Sequence, residues 1–268
     1  MKNLIHISIF LILLVSLIGC ESDIEIEVDD AQIKPVVEAK LSNHEGDARV
    51  TLFYSQNLMD ETDRKPISDA KVTIIDLENN TRYDLLEKND GMYENYLLKG
   101  SMNHTYKLEI LLPNGETLTS LGTMPMLTPL DDIHYELADD VLQDDDDDDN
   151  LYKITPDFTD IPNIKNYYQL EIIKNRHNKK GVNVFKDLGF DGLANTQQIY
   201  LEAKILDTLS ITLHNIDEHS YNYIYAIANI INQGSGSPTN PVSNIEGDAL
   251  GYFKVYSYEN QIEIILKE

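Results

Sequence analysis

The sequence predicts a mostly β protein of two β-sandwich domains, the second with one α-helix packed on it. Three observations lead there. Short runs of alternating apolar and polar residues recur along the chain, divided by turn signals such as Asp90-Gly91 and Pro113-Asn114-Gly115. Pro125 and Pro129 interrupt this pattern near the middle, where regular strand pairing cannot pass. One stretch after Asp217 changes from a period of two to helical spacing. The boundaries that follow are a leader over 1–19, an N-terminal segment over 20–34, a first sandwich over 35–125 and a second β-rich domain over 126–268.

The leader is expected to be an export signal and not part of the fold. Lys2 supplies positive charge, an apolar run follows from Leu4, and the small Gly19 precedes Cys20. The run is broken by His6, Ser8 and Ser16 and falls short of the about 20 apolar residues that a spanning helix needs. Leu17-Ile18-Gly19-Cys20 resembles the lipobox of bacterial lipoproteins. That resemblance implies a thioether from the Cys20 sulfur to a diacylglycerol, cleavage after Gly19 and acylation of the new amino terminus. Each buried methylene adds about 0.8 kcal/mol, so three acyl chains would anchor the protein permanently. Cys20 is the only cysteine, and lipid on it leaves none for a disulfide or a nucleophile.

Asp23 to Val28 alternates strictly and predicts a strand with one apolar face. Strands are expected over Pro35 to Leu41, Val50 to Tyr54 and Ala70 to Asp76. Glu78-Asn79-Asn80 turns the chain into a returning strand from Arg82 to Leu86. Tyr93 to Leu98, Thr105 to Leu112 and Glu116 to Leu121 complete the first set, the last two joined at the Pro113-Asn114-Gly115 turn. In the second half, strands are expected at Ile133 to Leu137, Tyr167 to Ile173, Ile199 to Ala203, Ser210 to His214, Gly251 to Tyr256 and Gln261 to Leu266. Asn57 to Lys65, Asn175 to Gly181 and Gly234 to Pro241 read as loops. Asp217 is placed to cap a helix over 218–232, with Gly234 past its end. Tyr221, Ile224, Tyr225, Ala228 and Ile231 share one face and are expected in the core, leaving Tyr223 exposed.

Composition narrows the function classes. The formal charge of -25 repels nucleic-acid phosphates and anionic headgroups. Tryptophan is absent but there are 16 tyrosines, which suit half-buried strands and polar-tipped binding surfaces. The histidines after the leader, at 44, 104, 134, 177, 214 and 219, form no metalloprotease pair and read as scattered surface or loop residues. Gly234-Ser235-Gly236-Ser237 lacks the lysine and following helix of a phosphate loop and reads as a linker. The Asp144 to Asp149 run offers oxygens without the glycine that shapes a calcium loop, so a solvated insertion is expected. Asp187 to Gly192 is a better-shaped turn and reads as a tight loop using glycine for positive φ. No acid, base, nucleophile or metal set assembles, so neither enzyme activity nor a cofactor or metal is expected.

Several stretches together resemble the Bacteroidota outer-membrane lipoproteins known as domain-of-unknown-function family 4249. They are Pro35 to Glu38, Pro66 to Ile74, Gly91-Met92-Tyr93, Thr105 to Leu108, Thr123-Met124-Pro125, Asn166-Tyr167-Tyr168 and Gly247 to Phe253. Asn103-His104 stands where a glycine is usual, and the aspartate run is an insertion. The resemblance implies an Ig-like or transthyretin-like first half, similar to regulatory domains attached to TonB-dependent receptors, and genes beside such receptors. It implies no catalytic residues and no ligand. The expected function is a non-enzymatic accessory or binding protein for a TonB-dependent uptake receptor, lipid-anchored in the outer membrane. Glu21 and Asp23 beside Cys20 resemble a surface-export signal and favour an outward-facing chain. A structural or adhesive surface lipoprotein with no transport role is the alternative.

Overall fold

The structure is a computed structural model that describes residues 32–56, 63–138, 149–179, 181–233 and 241–267. The leader, Cys20, the Asp23 to Val28 stretch, Asp144 to Asp148 and the 234–240 loop lie outside the described residues.

Seven strands build the first half: β1 (Pro35–Ser42), β2 (Ala48–Tyr54), β3 (Lys71–Asp76), β4 (Thr81–Asn89), β5 (Met92–Asn95), β6 (Thr105–Leu111) and β7 (Thr117–Thr123). They pair in the order β1-β2-β5-β4-β3-β6-β7. β4 links the two layers: Thr81 to Leu85 pair with β3, and Leu86 to Asn89 pair with β5, with a register slip between Glu87 and Asn89. The alternation in sequence puts Val37, Ala39, Leu41, Val50, Leu52, Ile74, Leu108 and Ile110 in one interior. β5 ends earlier than the sequence suggests. The Asn95 side chain accepts the N–H groups of Leu97 and Leu98 and turns the chain away from the ladder.

The second half adds β8 (Asp132–Leu137), β9 (Asn150–Asp157), β10 (Tyr167–Lys174), β11 (Asn178–Lys179), β12 (Asn183–Lys186), β13 (Ile199–Ala203), β14 (Thr208–Ile216), α1 (Glu218–Gln233), β15 (Leu250–Ser257) and β16 (Gln261–Ile265). A three-stranded sheet, β13-β9-β8, faces β10, β14 and β16 across a core of Tyr152, Ile154, Phe158, Tyr168, Leu170, Ile172, Leu209 and Ile211. β9 was not expected. Its Tyr152 and Ile154 alternate as a strand should, but the aspartate run on one side and Pro156 on the other hide a short apolar signal. β14 forks: its first residues pair with β16, and Asn215 and Ile216 pair with Ser257 and Tyr256 of β15.

The expected boundary at 125/126 meets a different arrangement. β15 lies parallel to β1, with Val37 opposite Gly251 and Lys40 opposite Lys254. Ile245, Ala249, Phe253 and Val255 therefore belong to the first core and not the second. The 243–246 stretch then bridges to β7 through paired Thr119 and Glu246 backbones. Asn244 imitates a strand partner, accepting from Phe253 N–H and donating to its carbonyl. Each large apolar side chain fully buried this way contributes about 1.5–3 kcal/mol. Gly251 makes the approach possible: its φ is +113°, and an added Cβ would lie 1.9 Å from the Val37 carbonyl oxygen. Residues 33–268 thus form one compact unit with a core in each half, a smaller cluster under the helix and a shared sheet.

α1 begins where expected. Asp217 Oδ1 accepts the Ser220 N–H at 2.7 Å, an N-cap. Its stripe is rotated from the expected one. Tyr221, Ile224 and Ala228 are buried, but Tyr225 is 48% exposed. Tyr223, expected to be free, is half-buried and packs on Tyr252 with ring centroids 4.9 Å apart. The cause is the surface that the helix covers: it rests on β15, β10 and β12, so its contact face turns toward Tyr223 and Ile227. Among the described residues, no helix is long and apolar enough to cross a membrane.

Candidate functional site: a tyrosine- and lysine-lined cleft under the helix

On the outer face of the shared sheet, side chains alternate with those of the cores. β15 sends Phe253 and Val255 inward and Tyr252, Lys254 and Tyr256 outward. β10 and β14 send Gln169, Glu171, Thr212 and His214 to the same side. With Lys40 of β1, the roof of Tyr223, Ile224 and Ile227, and Asp47, Tyr258 and Gln261 from loops and β16, they frame a cleft of about 550 Å³. That lies within the usual 300–1,000 Å³ of small-molecule sites.

Lys254 is at the centre. It is only 9% exposed, and its Nζ donates to Gln169 Oε1 at 2.6 Å and to His214 Nδ1 at 3.0 Å. It also stands 4.1 Å from the centre of the Tyr256 ring, a cation–π contact. With Lys254 as an ammonium, which has no lone pair, His214 Nδ1 is the acceptor of this bond. His214 is buried and packs against Tyr256 and Tyr258, which corrects its reading as a surface residue.

Tyr258 closes one end. The Asn43 side chain accepts from its N–H at 2.9 Å and donates to its carbonyl at 3.0 Å, and the His44 ring stacks on its ring. Asp47 Oδ2 accepts hydroxyl bonds from Ser42 at 2.6 Å and Tyr258 at 3.0 Å. Burial, then the Asp47 charge, push the Tyr258 hydroxyl up to about 12. Burial, then Glu38, push Tyr252 up to about 12, and burial raises Tyr256 further. These hydroxyls stay protonated at neutral pH and can each donate and accept a hydrogen bond.

Of the residues singled out in the sequence, His214, Tyr223 and Ile224 line the cleft, and the acidic groups fall elsewhere. Asp149, the described end of the aspartate run, lies 3.6 Å from both Lys174 and Lys204. His104 Nδ1 meets Asp76 Oδ2 at 2.8 Å, with Glu78 nearby. Asp187 and Asp191 approach Asp160, but each carboxylate accepts protein N–H or O–H groups: Asn166 on Asp187, Asn163 on Asp191, Tyr168 and Gly192 on Asp160. Gly189 and Gly192 have positive φ there, as that turn requires. The cleft residues Lys40, Asp47, Gln169, Tyr252, Lys254, Tyr256 and Tyr258 were not singled out. One signal could have found them: polar and aromatic residues at 252, 254, 256 and 258, alternating with Phe253 and Val255.

Residues 21–262 match the family described as "Domain of unknown function (DUF4249)". No curated protein matches. Among solved structures, the chain is similar to the FN1-FN3 domains of chicken CNTN1 at 10% identity and a TM-score of 0.25, over 87% of this chain and 63% of that one. It is also similar to fibronectin(III)-like modules of Clostridium thermocellum CbhA at 10% identity and a TM-score of 0.22, over 87% of this chain and 90% of that one. The chain thus spans less than two thirds of the chicken chain's length.

Proposed function

This chain belongs to that family of unknown function, and from this premise we propose that it is a non-enzymatic binding protein that takes a small ligand in the cleft under α1. The observation that carries the reading is the assembly of the cleft itself. Strands from both halves, the helix and two loops each contribute side chains to one cavity that neither core requires. Binding is favoured over catalysis because the one histidine in the lining is buried and engaged at Nδ1 with Lys254.

The rest of the proposal comes from the leader and the family resemblance. Lipid on Cys20 holds the chain in the outer membrane, facing outward, where it serves a TonB-dependent uptake receptor. Cys20→Ala is expected to leave a precursor that a high-salt wash removes from membranes; full retention would overturn the anchor. Affinity capture of the tagged protein from detergent-solubilised outer membrane, read by mass spectrometry, tests the partner. A co-purifying receptor supports the proposal. A self-associated pool without a receptor would favour a structural or adhesive role instead.

A further inference from the structure

We propose that the ligand of the cleft is a neutral sugar, its ring laid on the Tyr223–Tyr252 pair and its hydroxyl groups bonded to Thr212, Gln169 and the tyrosine hydroxyls. This rests on the reading of the cleft as a ligand site. The charges of the lining argue for a neutral molecule. Lys40 and Lys254 are matched by Asp47 and Glu171 in the same cavity. Three of the four are also engaged within the protein. Lys254 donates to Gln169 and His214, it and Glu171 each hold a further contact, and its charge acts on the buried Asp217 carboxylate. Asp47 accepts the hydroxyls of Ser42 and Tyr258. An anion would meet two carboxylates in this lining. A cation would meet two ammonium groups, one of them already on the Tyr256 ring. Either ion would give up its water with no net opposite charge to receive it.

What the lining leaves open is neutral and polar. The Thr212 hydroxyl, the Gln169 amide nitrogen, the Gln261 side chain and the hydroxyls of Tyr223 and Tyr252 have no hydrogen-bond partner among the described residues. Thr212 is only 6% exposed, so its hydroxyl faces little besides what the cavity holds. A hydrocarbon ring would leave these groups dry and unpaired. Sugar hydroxyls both donate and accept, as hydroxyl and amide groups do. The strand register sets the spacing. Thr212 lies directly across from Glu171 of β10 and from Gln261 of β16, and two residues on His214 lies across from Gln169. Neighbouring strands are about 4.8 Å apart, and same-face residues of one strand about 6.6 Å. Donors and acceptors thus form a grid on the scale of one sugar ring. The stacking surface comes from the roof. Tyr223 of α1 and Tyr252 of β15 meet at 4.9 Å and 38°, and both line the cavity. The C–H face of a pyranose packs on such aromatic surface while the hydroxyls on its rim reach the polar tips.

Saturation-transfer NMR tests this on the full chain, solubilised in a detergent without a sugar headgroup. The probes are glucose, galactose and mannose, each against its own uronate and its own 2-amino-2-deoxy derivative, with 4-hydroxybenzamide as a neutral ring that is not a polyol. At least one neutral sugar is expected to bind about tenfold or more tightly than both of its charged counterparts. Thr212→Val is expected to weaken that sugar about fivefold, with a melting temperature within about 2 °C of the parent. Tyr223→Ala should weaken it about tenfold and Tyr223→Phe only about threefold, since phenylalanine keeps the stacking surface. Tyr225→Ala, on the exposed side of α1, should bind like the parent. A uronate or amino sugar that binds as tightly as its parent sugar would overturn the neutral assignment, and so would sugar binding that Thr212→Val and Tyr223→Ala both leave intact. The two readings fail separately. Binding by 4-hydroxybenzamide or a charged derivative alone, lost in Tyr223→Ala, overturns the neutral sugar and keeps the cleft as a ligand site. Silence from all ten compounds at about 10 mM overturns both.

Discussion

Asp217 carries a cost that its neighbours do not relieve. Its Oδ1 caps α1, but its Oδ2 is buried with no hydrogen-bond partner among the described residues, 3.0 Å from where a side chain on Gly122 would begin. Burial pushes its pKa up to about 6 from the ordinary 3.8, outweighing the Ser220 bonds that lower it. The folded state therefore holds the proton more tightly than the unfolded chain does. The contribution of this group to stability is greatest below about pH 4 and is lost as pH rises through about 6. Asp217→Asn keeps the acceptor for Ser220 and removes the charge. We expect it to gain on the order of 2 kcal/mol at pH 7 and to flatten the pH dependence between 4 and 6. Urea unfolding at a series of pH values checks this. Asp217→Ala loses the cap and should fall below Asp217→Asn by about 1 kcal/mol. The cap is legible in the sequence because aspartate before a helical repeat has few other uses. The stranded oxygen is not, because it depends on β7 and β15 closing over it.

At the scale of elements, α1 and β15 divide the work of making the cleft. Ile224 is buried against Ile216, Tyr221 and Tyr256, whereas Tyr225 turns outward. Ile224→Ala should cost about 2–5 kcal/mol and Tyr225→Ala under about 0.5, read from thermal or urea unfolding. Equal costs would mean that the helix lies on its other face. β15 depends on one backbone position. A Cβ at residue 251 would strike the Val37 carbonyl and force β1 and β15 apart, so Gly251→Ala should cost about 3 kcal/mol or more. It should also perturb the lysine pair three registers away, with Lys40 opposite Lys254. The strong strands and the helix are legible because their periodicities are long and clean. β9 is obscured by charge and proline, and the helix rotation by a contact surface that no local pattern describes.

At the scale of the molecule, the two sandwiches share one sheet, and the chain returns to its beginning before it ends. β1 pairs with β15, and the 243–246 stretch closes against β7. A fragment of residues 33–125 would lose Ile245, Phe253 and Val255 from its core and leave β1 with an open edge. We expect that fragment to be unfolded or poorly packed, with little amide dispersion in its NMR spectrum. A well-dispersed spectrum would show that the first sandwich is a domain in its own right. Adding a peptide of residues 241–258 should partly restore order, because it supplies the missing strand.

The sequence by itself determined the mostly β class, most strand positions, the capped helix and a lysine- and tyrosine-bearing strand near the C-terminus. These are local properties: alternation, turn chemistry and capping act over a few residues. Only the tertiary structure decided that β15 inserts beside β1, that Lys40 meets Lys254 across 214 residues of chain, and that His214 is a buried partner and not a surface residue. A parallel pairing is set by the surface that both cores bury, and no local signal carries it. The cleft exists because that pairing and the helix above it bring together side chains that the sequence keeps apart.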